Sequence, residues 1–317
     1  IKLIIENTDR FINAVPKAKR KKYGQFFTNV TTALYMASLF DYDTTKPQMS
    51  LLDAGAGTGI LSAAVVQRLM DNGYKGHIHI TCYETDSLVL PLLEENLTII
   101  KSNANVSFTI INENYITSQS FGVDTFFREN ESLYDYVIGN PPYLKIPKDA
   151  VEAKSMPSVC HGAPNLYFLF WAMGIYNLKQ NQELVYIVPR SWTSGAYFKK
   201  FREYLFNNCV ITDIHLFESR DKVFDGESVL QVFFCCRFPY CLHLFFSFRH
   251  QLFQHNGFIA VDSKAEKSGF PSGVSFMAHL SETSINSDME NGLNRHPAKP
   301  FANSSPLLQL PEAVATT

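Results

Sequence analysis

The sequence predicts an α/β protein built on an open, mostly parallel sheet with helices on both faces. Three observations predict it. Strand-length apolar runs alternate with helix-length segments from about residue 50, a glycine-rich turn follows the first run, and the last two runs flank an Asp-Gly turn. Ser50–Ala54 reads as a buried strand running into Gly55. Ile60–Met70 has helical periodicity, with Gly73 as its stop. His77–Glu84 is the second strand and Ser87–Lys101 the second helix. Val106–Ile111, Tyr134–Ile138 and Leu184–Val188 repeat the strand signal, with helices over Asn165–Leu178 and Phe198–Phe206. Ile211–Phe217 and Ser228–Phe234, on either side of Asp225-Gly226, close the sheet as an antiparallel pair. The result is a seven-stranded, Rossmann-like layout.

Composition narrows the class. An apolar fraction of 46% over 317 residues is enough for a core. No apolar run reaches the length of a membrane span, and Ile1–Arg10 does not read as a signal peptide, so a cytoplasmic protein is expected. A chain beginning at Ile1 reads as a piece with something upstream. Cys82, Cys160 and Cys209 are scattered and Cys235, Cys236 and Cys241 crowd one segment, so no structural metal is expected. The net charge of −2 does not announce a nucleic-acid binder, but Lys17, Lys19, Arg20, Lys21 and Lys22 form a cluster. That cluster suits a solvated stretch or a phosphate contact. The chain divides into a basic segment (1–22), a catalytic domain (23–234) and an atypical tail (235–317). In the tail a Phe/Cys-rich run gives way to Ser, Asn, Pro and Gly, and it is expected to be largely disordered or aberrant.

Two segments carry chemistry. Asp53-Ala54-Gly55-Ala56-Gly57-Thr58-Gly59 sits at a strand-to-helix junction, where glycines let a ligand approach the backbone. Its glycines are two apart, so the GxGxxG dinucleotide fingerprint is not met and a nicotinamide-dependent oxidoreductase fits poorly. Glu84 ends the next strand, where a carboxylate accepts hydrogen bonds from ribose hydroxyls; Asp86 could do the same or cap the following helix. The second segment is Asp135-Tyr136-Val137-Ile138-Gly139-Asn140-Pro141-Pro142-Tyr143, an apolar strand running straight into Asn-Pro-Pro-Tyr. An amino nitrogen conjugated to a ring is a poor nucleophile. Two acceptors on its N–H bonds, the Asn140 side-chain oxygen and the Pro141 carbonyl, favour a pyramidal nitrogen whose lone pair can attack a methyl group. Pro142 brings no N–H to compete, and Tyr143 offers a flat face for a base.

These segments resemble, in this order, an adenine-N6 DNA methyltransferase of the restriction–modification type with the gamma motif order. Tyr23-Gly24-Gln25-Phe26-Phe27-Thr28 resembles that family's N-terminal motif, Val188-Pro189-Arg190-Ser191-Trp192 a later strand end, and Lys222-Val223-Phe224 a later loop. The resemblance covers about residues 15–231. It implies the S-adenosylmethionine-dependent methyltransferase fold, S-adenosylmethionine as cofactor, no metal, double-stranded DNA as substrate and a cognate restriction endonuclease as partner. It further implies catalysis by Asn140, Pro141, Pro142 and Tyr143. Cofactor contacts fall to Tyr23, Gln25, Phe26, Thr28, Asp53, Gly55, Gly57, Gly59, Glu84 and Asn140, with Asn114 and Tyr115 on the cofactor's adenine. Phe224 would stack on the extruded base opposite Tyr143, or be a core phenylalanine. Asn-Pro-Pro-Tyr also occurs in methyltransferases acting on glutamine side chains or on guanine N2 of ribosomal RNA. A cofactor-binding remnant is a further reading.

Overall fold

The computed structural model describes residues 1–15, 27–122, 133–193, 195–217, 231–237 and 274–279. Lys17–Lys22 and most of the tail lie outside them. The helices are α1 (Lys2–Ala14), α2 (Val30–Ser38), α3 (Ile60–Asp71), α4 (Leu90–Asn103), α5 (Val151–Ser155), α6 (Leu166–Tyr176) and α7 (Lys199–Asn208). The strands are β1 (Gln48–Ala54), β2 (His77–Tyr83), β3 (Val106–Ile111), β4 (Tyr134–Gly139), β5 (Leu178–Pro189), β6 (Val210–Phe217), β7 (Gln231–Arg237) and β8 (Val274–His279). They form one sheet in the order β3-β2-β1-β4-β5-β7-β6-β8. Strands β1 to β5 are parallel, and β7 enters antiparallel between β5 and β6.

The period-2 alternation of strands explains the layers. Leu51, Tyr136, Ile138, Val185 and Ile187 face a core with α1 to α4, whereas Leu52, Val137, Leu184 and Tyr186 face one with α6 and α7. Both faces are covered, so the parallel strands read as continuous apolar runs.

Several boundaries differ from expectation for identifiable reasons. Helix α4 starts at Leu90 rather than Ser87, because Pro91 fits a helix's first turn and Asp86 caps the turn before it, accepting from the Leu88 N–H at 2.9 Å. Gly73 does stop α3, at a left-handed φ of 78°. Eight strands, not seven, are present among the described residues. The eighth comes from the tail, with Val274–His279 pairing antiparallel along β6. β7 runs on to Arg237, so the boundary at 234 falls inside a strand. The Phe/Cys run has no alternation, yet its start is a strand with neighbours on both sides, which needs none.

The N-terminal segment is also not merely basic. Helix α1 buries Ile4, Asn7 and Thr8, which share one helical face, but two of the three are polar, so the stretch carries little apolar periodicity. Among the described residues no helix is long and apolar enough to cross a membrane.

At the end of the sheet away from the glycine turn, Asp135 is a polar clamp. It accepts from Lys46 Nζ and Lys179 Nζ, each at 2.9 Å, and from the Ser50 N–H and hydroxyl at 2.9 and 2.8 Å. Burial alone raises its pKa, but the two lysines and Ser50 outweigh burial and hold it at about 2. A carboxyl held below its ordinary 3.8 stabilises the fold above that pH, and the contribution is lost as pH falls towards 2. Since Lys179 is 42% exposed, screening leaves about 1–2 kcal/mol. Asp135→Asn is expected to lower the midpoint of thermal unfolding at pH 7 by several degrees. At pH 2 the difference from wild type should shrink; an equal difference at both pH values would refute the clamp.

Candidate active site

The strand order reverses direction between β1 and β4, and open α/β sheets bind ligands at such a switch point, at the carboxyl ends of the strands. A cleft of about 590 Å³ lies there. Its wall includes Gly55 and Gly57 after β1, Tyr83 and Glu84 at the end of β2, Asn114 and Tyr115 after β3, and Asn140 and Pro142 after β4. Phe27, Leu166 and Phe170 complete the apolar side.

The glycine turn is held from two directions. The N–H groups of Gly55 and Ala56 both donate to the Tyr83 carbonyl, at 2.8 and 3.0 Å. The Gly57 N–H donates to Glu84 Oε2 at 2.9 Å. Gly57 has a left-handed φ of 55°, and a Cβ there would enter the cleft wall 3.5 Å from the Phe27 ring. Gly57→Val is therefore expected to weaken cofactor binding more than about ten-fold through strain and lost space together. Isothermal titration would measure it, and unchanged affinity would show that the cofactor does not approach this backbone.

Glu84 is almost fully committed. Its Oε1 accepts from the Thr85 and Asp86 N–H groups, both at 2.8 Å. A carboxylate has about four acceptor positions, so with Gly57 on Oε2 one remains, facing the cleft where a ribose hydroxyl could donate. Burial raises its pKa above the ordinary value, partly offset by the three backbone bonds.

Asn140 is half-buried at the tip of β4. Its Nδ2 donates to Thr28 Oγ1 at 3.1 Å, and the Tyr143 hydroxyl is 2.7 Å from its Oδ1. That hydroxyl has one proton and a second acceptor, the Ile187 carbonyl, at 2.9 Å. The Tyr143 ring meets Tyr167 edge-on at 6.2 Å. Pro141 is buried, and its carbonyl accepts no hydrogen bond from the described loop residues. Gly139 precedes this array because a Cβ there would lie 2.5 Å from the buried Tyr186 ring.

The structure places some expected residues elsewhere. Asp53 is fully buried behind the turn, where its Oδ2 accepts from the Ser62 hydroxyl at 2.7 Å and N–H at 3.2 Å. Burial pushes its carboxyl up to about 7. It shapes the start of α3 and does not line the cleft. Gly59 serves packing, since a Cβ would meet Leu93 at 2.9 Å. Thr28 holds Asn140 and is not part of the cleft wall. Asn114 reaches the cleft while its Oδ1 caps Ile116 and Thr117. Tyr115 is 2% exposed, its hydroxyl donating to Asn177 Oδ1 at 2.8 Å, so it offers only an edge. Tyr23, Gln25, Phe26 and Phe224 lie outside the described residues.

Other contributors were missed. Phe170 sits on α6, a helix apolar all round, so no pattern marked which ring faces the cleft. Helix α1 supports the turn from behind. Its Thr8 hydroxyl donates to Thr58 Oγ1 at 3.0 Å and Asn7 Nδ2 to Asn96 Oδ1 at 3.1 Å, while Asn96 Nδ2 donates to the Thr58 carbonyl at 2.8 Å. Its Phe11 packs edge-on against Phe27 at 5.8 Å.

Comparison with known proteins decides the family. Residues 58–224 match the model of the Eco57I restriction-modification methylase. The chain belongs to that family. Among curated relatives, this methylase is 34% identical over 234 residues to the type II methyltransferase M.BsuBI of Bacillus subtilis, covering 72% of this chain and 46% of the relative. It is 38% identical over 218 residues to M.PstI of Providencia stuartii, covering 67% of this chain and 42% of the relative. It therefore spans less than half the length of these two relatives. Its fold resembles the type I restriction-modification system methyltransferase subunit from Streptococcus thermophilus, with a TM-score of 0.54 at 16% identity, covering 84% of this chain and 52% of that one. The methylase has the S-adenosylmethionine-dependent methyltransferase fold, and S-adenosylmethionine is the cofactor that goes with this family. The cleft suits it: an open glycine backbone, one free acceptor on Glu84 and apolar rings beside them.

Proposed function

We propose that this chain is the catalytic part of a DNA methyltransferase that methylates adenine N6 in double-stranded DNA, paired with a restriction endonuclease of the same specificity. The observation that carries the reading is Asn140, held at the tip of β4 by Thr28 and Tyr143, in the wall of the same cleft as Gly57 and Glu84. When bound, S-adenosylmethionine supplies a methyl group activated by its sulfonium. Glu84 would hold a ribose hydroxyl, and the Gly55–Gly57 backbone and Phe27 would border the rest of the cofactor. Asn114 and the edge of Tyr115 would border its adenine ring.

The target base lies inside a duplex and must be extruded to reach Asn140. Asn140 Oδ1 and the Pro141 carbonyl then each accept one N6–H, which localises the nitrogen lone pair and aims it at the methyl group. The N–C bond would form from that lone pair as the methyl carbon–sulfur bond breaks, its electrons staying on sulfur as a neutral thioether, and the surplus N6 proton would leave to solvent, since an amide is too weak a base to keep it. Tyr143 would offer its ring to the base after its hydroxyl lets go of Asn140 or Ile187.

Incubation with radiolabelled S-adenosylmethionine and unmethylated duplex DNA, followed by nucleoside chromatography, tests this. Label in N6-methyladenine is expected. Label in another base, or only in ribosomal RNA or release factor offered in parallel, would reject the adenine-N6 assignment.

A further inference from the structure

Beside Tyr143 lies a surface that the chemistry above does not use. Lys145 follows Tyr143 by two residues, and its Nζ stands 5.9 Å over the ring of Tyr197, which is 56% exposed. That ring rests against Gly162, where a Cβ would come within 2.7 Å of it. Lys200, in the first turn of α7, reaches back to the Pro157 carbonyl at 3.4 Å. Tyr143 meets Tyr167, which meets Phe198 at 5.9 Å, so two ring contacts connect the Asn-Pro-Pro-Tyr loop to the residue next to Tyr197.

The charges here are uncompensated. Lys145 and Lys200 form no ion pair with a described residue, whereas Lys46 and Lys179 are both bound to Asp135. Residues 144–165 and 190–208 hold seven lysines and arginines against three acids, in a chain of net charge −2. Arg202 is engaged within the fold, donating to the carbonyls of Trp192 and Gly195 at 2.8 and 2.9 Å. Ammonium groups without an ion-pair partner among the described residues, one of them over an exposed ring, suit a polyanion that also has flat faces.

We propose that Lys145, Tyr197 and Lys200 form a contact for the phosphate backbone of duplex DNA flanking the extruded nucleotide. This rests on the DNA reading above. The lysines neutralise phosphates, and Tyr197 adds sugar or base contact without charge. Neither role reads sequence.

Counterion release makes the idea quantitative, since each neutralised phosphate contributes a slope of about −0.9 to log K against log salt. Fluorescence anisotropy with a labelled duplex of about 25 base pairs, titrated from low salt upward, reads that slope. Lys145→Ala/Lys200→Ala is expected to flatten it by about 1.8 and to lower affinity at least about ten-fold at low salt. Tyr197→Ala should lower affinity with the slope unchanged. Lys101→Ala, on α4 beside β3, should bind as wild type, and all variants should keep their cofactor affinity by calorimetry. Wild-type affinity and slope in the double variant would overturn the proposal while leaving the DNA reading intact. Parallel loss of cofactor binding in the double variant would mark the lysines as structural and overturn it too. A wild-type chain that binds cofactor but no duplex at any salt would sink both.

Discussion

Asn140→Ala is expected to reduce the turnover number about 10²- to 10³-fold while changing cofactor affinity only a few-fold. The asymmetry follows from where the residue acts. Its Oδ1 is one of two acceptors proposed to localise the lone pair of the target nitrogen, an interaction that strengthens only as the methyl group transfers. Its other end, Nδ2, is spent on Thr28 and serves orientation. Truncation therefore removes transition-state stabilisation and leaves Gly57, Glu84 and Phe27 to hold the cofactor. Asn140→Asp should fall between, since it keeps an acceptor but loses the donor to Thr28. Steady-state kinetics at saturating DNA, with calorimetry on the free enzyme, separate these effects. A rise in the cofactor KM with an unchanged turnover number would move Asn140 from chemistry to binding.

Glu84→Ala should show the opposite split: cofactor affinity down about 100-fold, with much of the turnover number recovered at saturating cofactor. Three backbone N–H groups lose a charged acceptor at once, those of Gly57, Thr85 and Asp86. Hydrogen bonds to a charged group contribute about 1.5–3 kcal/mol each, so the turn at Gly57 also loosens. Glu84→Gln should lose about ten-fold, because its carbonyl can serve one site and its NH₂ opposes the other N–H donors. The pH dependence has a definite sign. Burial raises the Glu84 pKa above its ordinary 4.5, so acidification removes the acceptor at a higher pH than for an exposed glutamate. Cofactor affinity should therefore fall on that limb in wild type and stay flat there in Glu84→Gln. An Ala variant with near wild-type affinity would show that the carboxylate only shapes the loop.

Much of this was legible in the sequence because it is local. A strand ending in Asp53 to Gly59 and another ending in Asn140 to Tyr143 are specified by neighbouring residues, through backbone preference and the period of the apolar positions. The alternation of strands and helices follows from the same periodicity, and β6 and β7 pair antiparallel as expected, although the Asp225-Gly226 turn expected between them lies outside the described residues. Where the sequence carries no pattern, the structure departs from expectation. Helix α1 is short and mixed, and the strand at Val274–His279 exists only through its pairing with β6.

What the sequence determined by itself is thus the element types and the two motifs at strand ends. Which side chains meet was decided only by the tertiary structure. Glu84 accepts from Gly57 across 27 positions, and Asn140 leans on Thr28 across 112. Asp53, inside the most recognisable motif, turned away from the cleft to hold Ser62. The physical reason is the sheet order, which brings the ends of β1, β2 and β4 together. Periodicity says that a residue is buried or faces one side, but only the packed sheet says what stands opposite it.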